Sequence, residues 1–309
     1  MTIKPPRIND FRQRISWRDV ESSQDLKDLI KICIREDLNP QKVRPTWEYD
    51  LTSEVCNLLG TGTAQLTCRE PLIVCGIQLA HLLIEAFSCD QLEFQSHLDD
   101  GVHCEKDQTI GTISGSIKQI LAIERTLLNF MQRLSGVATK SAAFVKILSQ
   151  YGVGLLDTRK TTPGLRVFEK YATATGGSYN HRMGLFDQIL IKDNHLASAG
   201  IRSNKEYLEF LTSIKERAKD QLVEVEIDDL ARLEPSIEGG VDAVLLDNFS
   251  PKEVAQAVKI NQNRVVLEAS GGINEENLAE YANAGPHFVS TGAPVHQARW
   301  VDIGLDWIN

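Results

Sequence analysis

Six short apolar runs recur in the second half of the chain, and each ends in polar or charged residues. They are GVGLLDTRK (152–160), QILIKDNH (188–195), LVEVEID (222–228), DAVLLDN (242–248), RVVLEASGG (264–272) and PHFVSTG (286–292). Unbroken apolar runs of this length fit strands that are covered on both faces. Helical patterns separate several of them, at 205–219 and 251–260. The last four strand ends lie about 20 residues apart, the length of one βα unit. Six such units in series predict a closed or nearly closed parallel β/α barrel.

The first 117 residues follow a different pattern. Residues 24–37 carry helical periodicity, with Leu26, Leu29, Ile30, Ile32 and Cys33 on one side. Segments 63–68 and 109–117 predict strands, the latter broken by Gly111 and Gly115. Segment 76–87 predicts a helix. A long helical stretch over 118–150, interrupted near Gly136, leads into the barrel. The front part is therefore expected to be a small α+β domain.

The strand-end rule for barrels turns this pattern into candidate chemistry, because active sites form at the C-terminal ends of the strands. Those ends supply Thr158, Arg159, Lys160, Lys192, Asp193, Glu224, Glu226, Asp247, Asn248, Glu268, Ser270 and Ser290. The first two ends are cationic and the next three carry carboxylates. Charge sharpens this. The chain as a whole has a net charge of -9, yet residues 157–195 hold six Lys/Arg against four Asp/Glu. A local cation cluster in an acidic protein suits a substrate with several negative charges, and Arg suits carboxylates and phosphates through its planar fork. The facing carboxylates suit Mg²⁺ held with phosphate oxygens, or a developing positive charge. Glycine-rich ends at 269–272 and 290–293 offer backbone N–H groups to a phosphate. A phosphorylated sugar, a second anionic substrate and a metal fit this set.

Each residue also has a plainer reading. Arg159 and Lys160 fit surface charge beyond a strand, Lys192 fits an ion pair with Asp193 or Asp187, and Asp247–Asn248 fits a helix N-cap. His181–Arg182 fits a loop surface. Arg166 fits an ion pair with Glu169 or Asp187. Lys160 or Lys192 as a Schiff-base amine would make the barrel a lyase or aldolase. A non-catalytic binding protein is a further class. What sets these readings apart from an active site is that the residues share one position, the strand ends.

Composition closes off other classes. The acidic balance argues against nucleic acid or an anionic membrane surface as partner. No G-x-G-x-x-G or P-loop motif is present. The six cysteines all lie in the first third without a C-x-x-C pair and are expected to be reduced core residues. His97, His103 and Cys104 match no standard ligand spacing. The most apolar segment, 71–87, is interrupted by Gln78, His81 and Glu85 and is too short to span a bilayer. A cytoplasmic location is expected.

Longer motifs add a resemblance. DTRKTTPGLR (157–166), EKYATATGGSYNHRMGLFDQILIKDNH (169–195), VEVEID, LLDNFS, EASGGI and STGAPVH stand in the order and spacing of the quinolinate phosphoribosyltransferases. REDL…DLTS (35–53) and ERTLLNFMQRLSGVAT (124–139) fit too, so the resemblance covers nearly the whole chain. It implies an N-terminal α/β sandwich domain over 1–125, joined by the tail 297–309, and an incomplete, seven-stranded β/α barrel over 126–296. It implies that quinolinate and phosphoribosyl pyrophosphate react, with Mg²⁺, to nicotinate mononucleotide, pyrophosphate and CO₂ for NAD synthesis. Dimers with shared active sites, or hexamers of dimers, are implied as well. A paralogue associated with molybdenum transport is the nearest alternative within this resemblance.

By motif, the quinolinate pocket is expected to hold Thr158, Arg159, His181, Arg182 and Lys192, with Arg125 entering from the other subunit. Lys160 is expected between quinolinate and pyrophosphate. Glu226 and Asp247 are expected to face ribose and metal, and Ser270, Gly271, Gly292 and His296 to hold the 5′-phosphate. Two departures stand out. Ser178 replaces the last of three glycines before Asn180-His181-Arg182, and Pro294 replaces a residue with an N–H in the last phosphate loop.

Overall fold

The computed structural model describes residues 6–38 and 46–308. Part of the 35–53 motif and residues 1–5 lie outside them. The chain begins with α1 (Trp17–Ser22), α2 (Gln24–Leu38) and α3 (Leu51–Val55), then β1 (Thr61–Cys68), β2 (Leu72–Ile73) and α4 (Leu79–Ala86). β3 (Leu92–Ser96), β4 (His103–Cys104), β5 (Thr109–Ser116) and α5 (Ile117–Ser149) follow. Next come β6 (Gly154–Leu156), α6 (Arg166–Thr175), β7 (Ile189–Ile191), α7 (Asp193–Ser198), α8 (Asn204–Ala218) and β8 (Val223–Ile227). The rest comprises α9 (Leu233–Glu238), β9 (Ala243–Asp247), α10 (Pro251–Asn261), β10 (Val266–Ser270), α11 (Leu278–Asn283), β11 (Phe288–Ser290), α12 (Ala293–His296) and β12 (Ile303–Ile308).

Two compact units divide the chain. Among the described residues, one unites 15–38, 46–142, 162–177 and 297–308; the other unites 6–14, 143–161 and 178–296. The units cross the expected 125/126 division in three places. α5 runs through it, α6 joins the first unit, and residues 6–14 join the barrel.

The first unit is built on an antiparallel sheet in the order β12-β1-β5-β3. β12 comes from the far end of the chain and pairs Ile308 to Ile303 along Thr63 to Cys68. Gly136 does not interrupt α5. A Cβ there would stand 2.1 Å from the Arg299 carbonyl oxygen, so the glycine serves a close backbone approach. Cys68 and Cys104 are disulfide-bonded, with Cα atoms 6.8 Å apart, and so are not reduced as expected. The end of β1 and the short β4 bring them together, a proximity that a separation of 36 residues does not signal.

The second unit is a parallel sheet in the order β6-β11-β10-β9-β8-β7. These are the six predicted runs. A seventh stave is reduced to one parallel bridge, Leu156 with Tyr179, so the barrel is incomplete and stays open between that segment and β7. Val225, Val244, Leu246, Leu267, Ala269 and Val289 face outward into the helix layer. The alternate positions face the barrel axis. At its bottom Leu156, Ala243, Val266 and Phe288 pack with Phe11, whose ring lies 6.1 Å from that of Phe288. An apolar floor thus seals one end and leaves the polar strand ends at the other.

Candidate active site

Thr158, Arg159, Lys160, His181, Arg182, Lys192, Glu226, Asp247 and Ser270 line one cavity of about 390 Å³ at the C-terminal ends of the strands. Nine of the expected site residues are therefore together. Leu185, Leu190, His195, Leu245, Glu268 and Ser290 complete the wall. Leu185 and Leu190 supply apolar surface that an aromatic ring could lie against.

The cation side is assembled by the β6 and β7 ends and the loop before β7. The Lys160 N–H donates to Thr158 Oγ1 at 3.0 Å and curls the loop just after the strand. Asp157, buried at the end of β6, accepts the His181 N–H at 2.8 Å and the Asn180 Nδ2 at 2.7 Å, which ties the His181–Arg182 pair to that strand. Arg182 is buried and donates from Nη1 to the Gln188 carbonyl at 3.3 Å. Burial, and then the neighbouring Arg159, push its pKa down. Two neighbouring guanidiniums make a place for an anion.

On the acid side, β8 and β9 present Glu226 and Asp247. Lys192 Nζ donates to the Glu226 carboxylate. Neither Asp193 nor Asp187 is that partner: Asp193 accepts the Asn194 N–H, and Asp187 the Met183 N–H. Asp247 Oδ2 accepts from Asn248 Nδ2 at 2.8 Å. Both carboxylates are oxygen donors suited to a hard divalent ion, and they share one cavity with the cations, so the set fits Mg²⁺ bound together with phosphate oxygens.

One layer deeper lie Glu224 and Glu268, both fully buried. Glu224 Oε2 is 3.2 Å and Glu268 Oε2 is 3.7 Å from His181 Nε2. Burial, and then the facing Glu224, push the Glu268 carboxyl up to about 8. It therefore keeps its proton at neutral pH. One ligand atom from each of His181, Glu224 and Glu268 lies within 4.8 Å of the others, the only such His/Cys/Asp/Glu group among the described residues. Both glutamates were visible as strand-end residues; their meeting beneath His181 was not.

The expected phosphate loops flank this cavity. Gly271 has φ +96°, and a Cβ there would lie 2.2 Å from Asn248 Oδ1, so the turn after β10 requires glycine. A Cβ on Gly292 would lie 2.9 Å from His296 Cδ2 and 3.1 Å from Lys160 Cβ. Gly292 thus adjoins both Lys160 and His296. Pro294 is the second residue of α12, where no intrahelical partner awaits an N–H, so the helix loses nothing by it. Ser178 is buried without a positive φ, so no glycine is needed there.

Arg125 is not among the residues that line the cavity. It is on α5, at a surface recess of the first unit lined by Asp37, Leu38, Tyr49, Asp50, Leu51, Thr52, Leu121 and Ala122. The Glu169 carboxylate accepts from Arg133 and Thr162.

An open parallel barrel whose mouth sets arginines and lysines against two carboxylates defines an enzyme for polyanionic substrates. Comparison with known proteins makes the class specific. The family model "Quinolinate phosphoribosyl transferase, C-terminal domain" matches residues 137–306, and the corresponding N-terminal domain model matches residues 50–135. The chain belongs to the quinolinate phosphoribosyltransferase family, a family of decarboxylating phosphoribosyltransferases. It is 35% identical over 285 residues to the nicotinate-nucleotide pyrophosphorylase [carboxylating] of Mycobacterium leprae, covering 91% of this chain and 96% of that one. It is 32% identical over 300 residues to a quinolinate phosphoribosyltransferase [decarboxylating] of Nicotiana tabacum, covering 91% and 82%. The solved nicotinate-nucleotide pyrophosphorylase of Francisella tularensis superposes with a TM-score of 0.83 at 35% identity, covering 92% and 96%.

Proposed function

We propose that this chain transfers the phosphoribosyl group of phosphoribosyl pyrophosphate to quinolinate, giving nicotinate mononucleotide, pyrophosphate and CO₂ for NAD synthesis. The observation that carries this reading is the single cavity in which Arg159, Lys160, Arg182 and Lys192 face Glu226 and Asp247. Family membership supports it.

The residues divide the work. Arg159 and Arg182, aided by Thr158 and Lys192, neutralise and orient the two carboxylates of quinolinate. Lys160, beside Gly292, takes charge on the pyrophosphate side. Ser270, Gly271, Gly292 and His296 hold the 5′-phosphate. As pyrophosphate departs, positive charge grows on ribose C1 and its ring oxygen, where the carboxylates of Glu226 and Asp247 stabilise it. The pyridine nitrogen forms the new bond to C1. That nitrogen is then positive; when the adjacent C–CO₂ bond breaks, the electron pair stays on the ring carbon, stabilised by the positive nitrogen beside it, and takes up a proton in place of CO₂. Mg²⁺, held by Glu226 and Asp247 with substrate phosphates, would supply charge neutralisation to the leaving pyrophosphate. No covalent enzyme intermediate is needed. Lys160 is exposed and Lys192 is ion-paired, so neither sits in the apolar surround that frees an amine for a Schiff base.

A homodimer with shared sites belongs to the same proposal. Arg125, exposed on the first unit, is the residue offered to the partner's cavity. Exposed Leu51, Val55 and Leu59 recur at four-residue spacing near that recess, and Leu185 and Phe186 are exposed at the barrel mouth. Apolar surface at both places suits mutual burial between two copies. A cytoplasmic setting is part of the proposal; among the described residues no helix is long and apolar enough to cross a membrane.

The experiment is a choice of acceptor. With phosphoribosyl pyrophosphate and Mg²⁺, quinolinate should yield nicotinate mononucleotide, while nicotinate, which lacks one carboxylate, should react at least about 100-fold more slowly. Equal use of nicotinate, or no product from folded protein, would overturn the reading.

A further inference from the structure

The cluster beneath the cation side explains how His181 and Arg182 are held, and it involves two residues to which the reaction assigns no role. His181 Nδ1 accepts the Arg182 N–H at 2.8 Å. Its Nε2 points down the barrel to Glu224 Oε2 at 3.2 Å and Glu268 Oε2 at 3.7 Å. A ring nitrogen that accepts an N–H carries no proton of its own. The single proton of the neutral imidazole must then be on Nε2, aimed at the carboxylates. An imidazolium would set Nδ1–H against the Arg182 N–H. A metal ion on Nε2 would leave the ring proton on Nδ1, with the same clash. The four carboxylate oxygens are buried and make no hydrogen bond of standard geometry, so their approach to the ring is a contact at ion-pair range, with the Ser290 hydroxyl also close to Glu268.

We propose that Glu224 and Glu268 are positioning residues of the dicarboxylate subsite: they fix His181 as its Nε2–H tautomer, and the ring in turn fixes Arg182 beside Arg159. This deepens the proposed function and rests on it. In this arrangement both ring nitrogens of His181 serve the protein. His181 shapes the subsite through Arg182. The tautomer is set by the hydrogen bond at the other nitrogen, as for ligand histidines held from behind. β8 and β10 flank β9, and Glu224 lies two residues below Glu226 on the axis-facing side, so the pair forms a rigid floor under the mouth.

The test has two arms. Imidazole ¹⁵N NMR of the wild-type protein, with His181 assigned by the signal lost in His181→Asn, reads the tautomer directly and needs no turnover. A protonated Nε2 with an unprotonated Nδ1 is expected. Protons on both nitrogens, a proton on Nδ1 alone, or a stoichiometric divalent metal retained on His181 would each overturn the proposal. Steady-state kinetics form the second arm. Glu224→Leu is expected to raise the KM for quinolinate about tenfold or more, with the KM for phosphoribosyl pyrophosphate changed less than about twofold. Glu224→Gln, which keeps an oxygen acceptor, should recover most of that loss. Equal rises in both KM values, or no rescue by Gln, would sink it. Wild-type protein inert towards quinolinate would instead sink the proposed function and leave the NMR result standing.

Discussion

Lys192 Nζ donates to the Glu226 carboxylate, and this pair joins the cation side of the barrel mouth to its acid side through the adjacent strands β7 and β8. Lys192 is assigned to a quinolinate carboxylate and Glu226 to ribose and metal, so each must loosen from the other when substrate binds. Glu226→Gln should release Lys192. Calorimetry should show quinolinate binding about two- to fivefold more tightly, the scale of a half-exposed ion pair. Turnover should fall on the order of 10² for loss of a charge facing the transition state. Weaker quinolinate binding in this variant would contradict the competition.

Glu169 is a buried carboxylate with a defined job. It accepts from Arg133 Nη2 at 2.6 Å, Arg133 Nε at 3.1 Å, Thr162 Oγ1 at 2.8 Å and the Thr162 N–H at 2.7 Å. Thr162 stands two residues beyond Lys160 in the sequence. Glu169→Ala leaves a nearly buried guanidinium without its counter-charge and should cost about 3–5 kcal/mol by denaturant titration. A loss below about 1 kcal/mol would show that the carboxylate is not holding Arg133 and Thr162.

Arg125 gives the test of a shared site. Arg125→Ala and Lys160→Ala should each be nearly inactive. Equal mixtures, after subunit exchange, should regain about one quarter of wild-type activity, because half the dimers are hybrids with one intact site of two. No recovery after proven exchange would place Arg125 in its own subunit's cavity or outside the reaction.

Glu268 makes stability depend on pH. Its folded-state pKa, up to about 8 through burial and the facing Glu224, lies above the 4.5 of a free glutamate. Between these two values the folded protein holds a proton that the unfolded chain has lost, so the stabilising contribution is complete below about 4.5 and declines as pH rises towards 8. Denaturant titrations across this window should show wild-type stability falling relative to Glu268→Gln, which keeps the neutral form at every pH. A gap that stays constant from pH 5 to 8 would contradict the raised pKa.

The barrel was legible because a parallel sheet buried on both faces writes each strand as an apolar run with a polar end. The same feature made nine cavity residues readable in advance. α6 was not legible, since Glu169, Lys170 and Thr173 are polar yet buried there, and Glu169 takes its guanidinium partner from Arg133 on α5. Gly136 looked like a helix break because the carbonyl it accommodates belongs to Arg299. The link between Cys68 and Cys104 and the pairing of Lys192 with Glu226 depend on strand neighbours, which periodicity does not name. Glu224 was visible only as a residue on the same side of its strand as Glu226; depth within the barrel separates a buried positioning group from a charge at the mouth.

The central claim is that one site couples phosphoribosyl transfer to loss of a carboxylate. Quinolinate labelled at the carboxylate next to the ring nitrogen, incubated with phosphoribosyl pyrophosphate and Mg²⁺, tests it most directly. Labelled CO₂, pyrophosphate and nicotinate mononucleotide should appear in equal amounts at equal rates. Pyrophosphate release without CO₂, or CO₂ released when phosphoribosyl pyrophosphate is withheld, would contradict it.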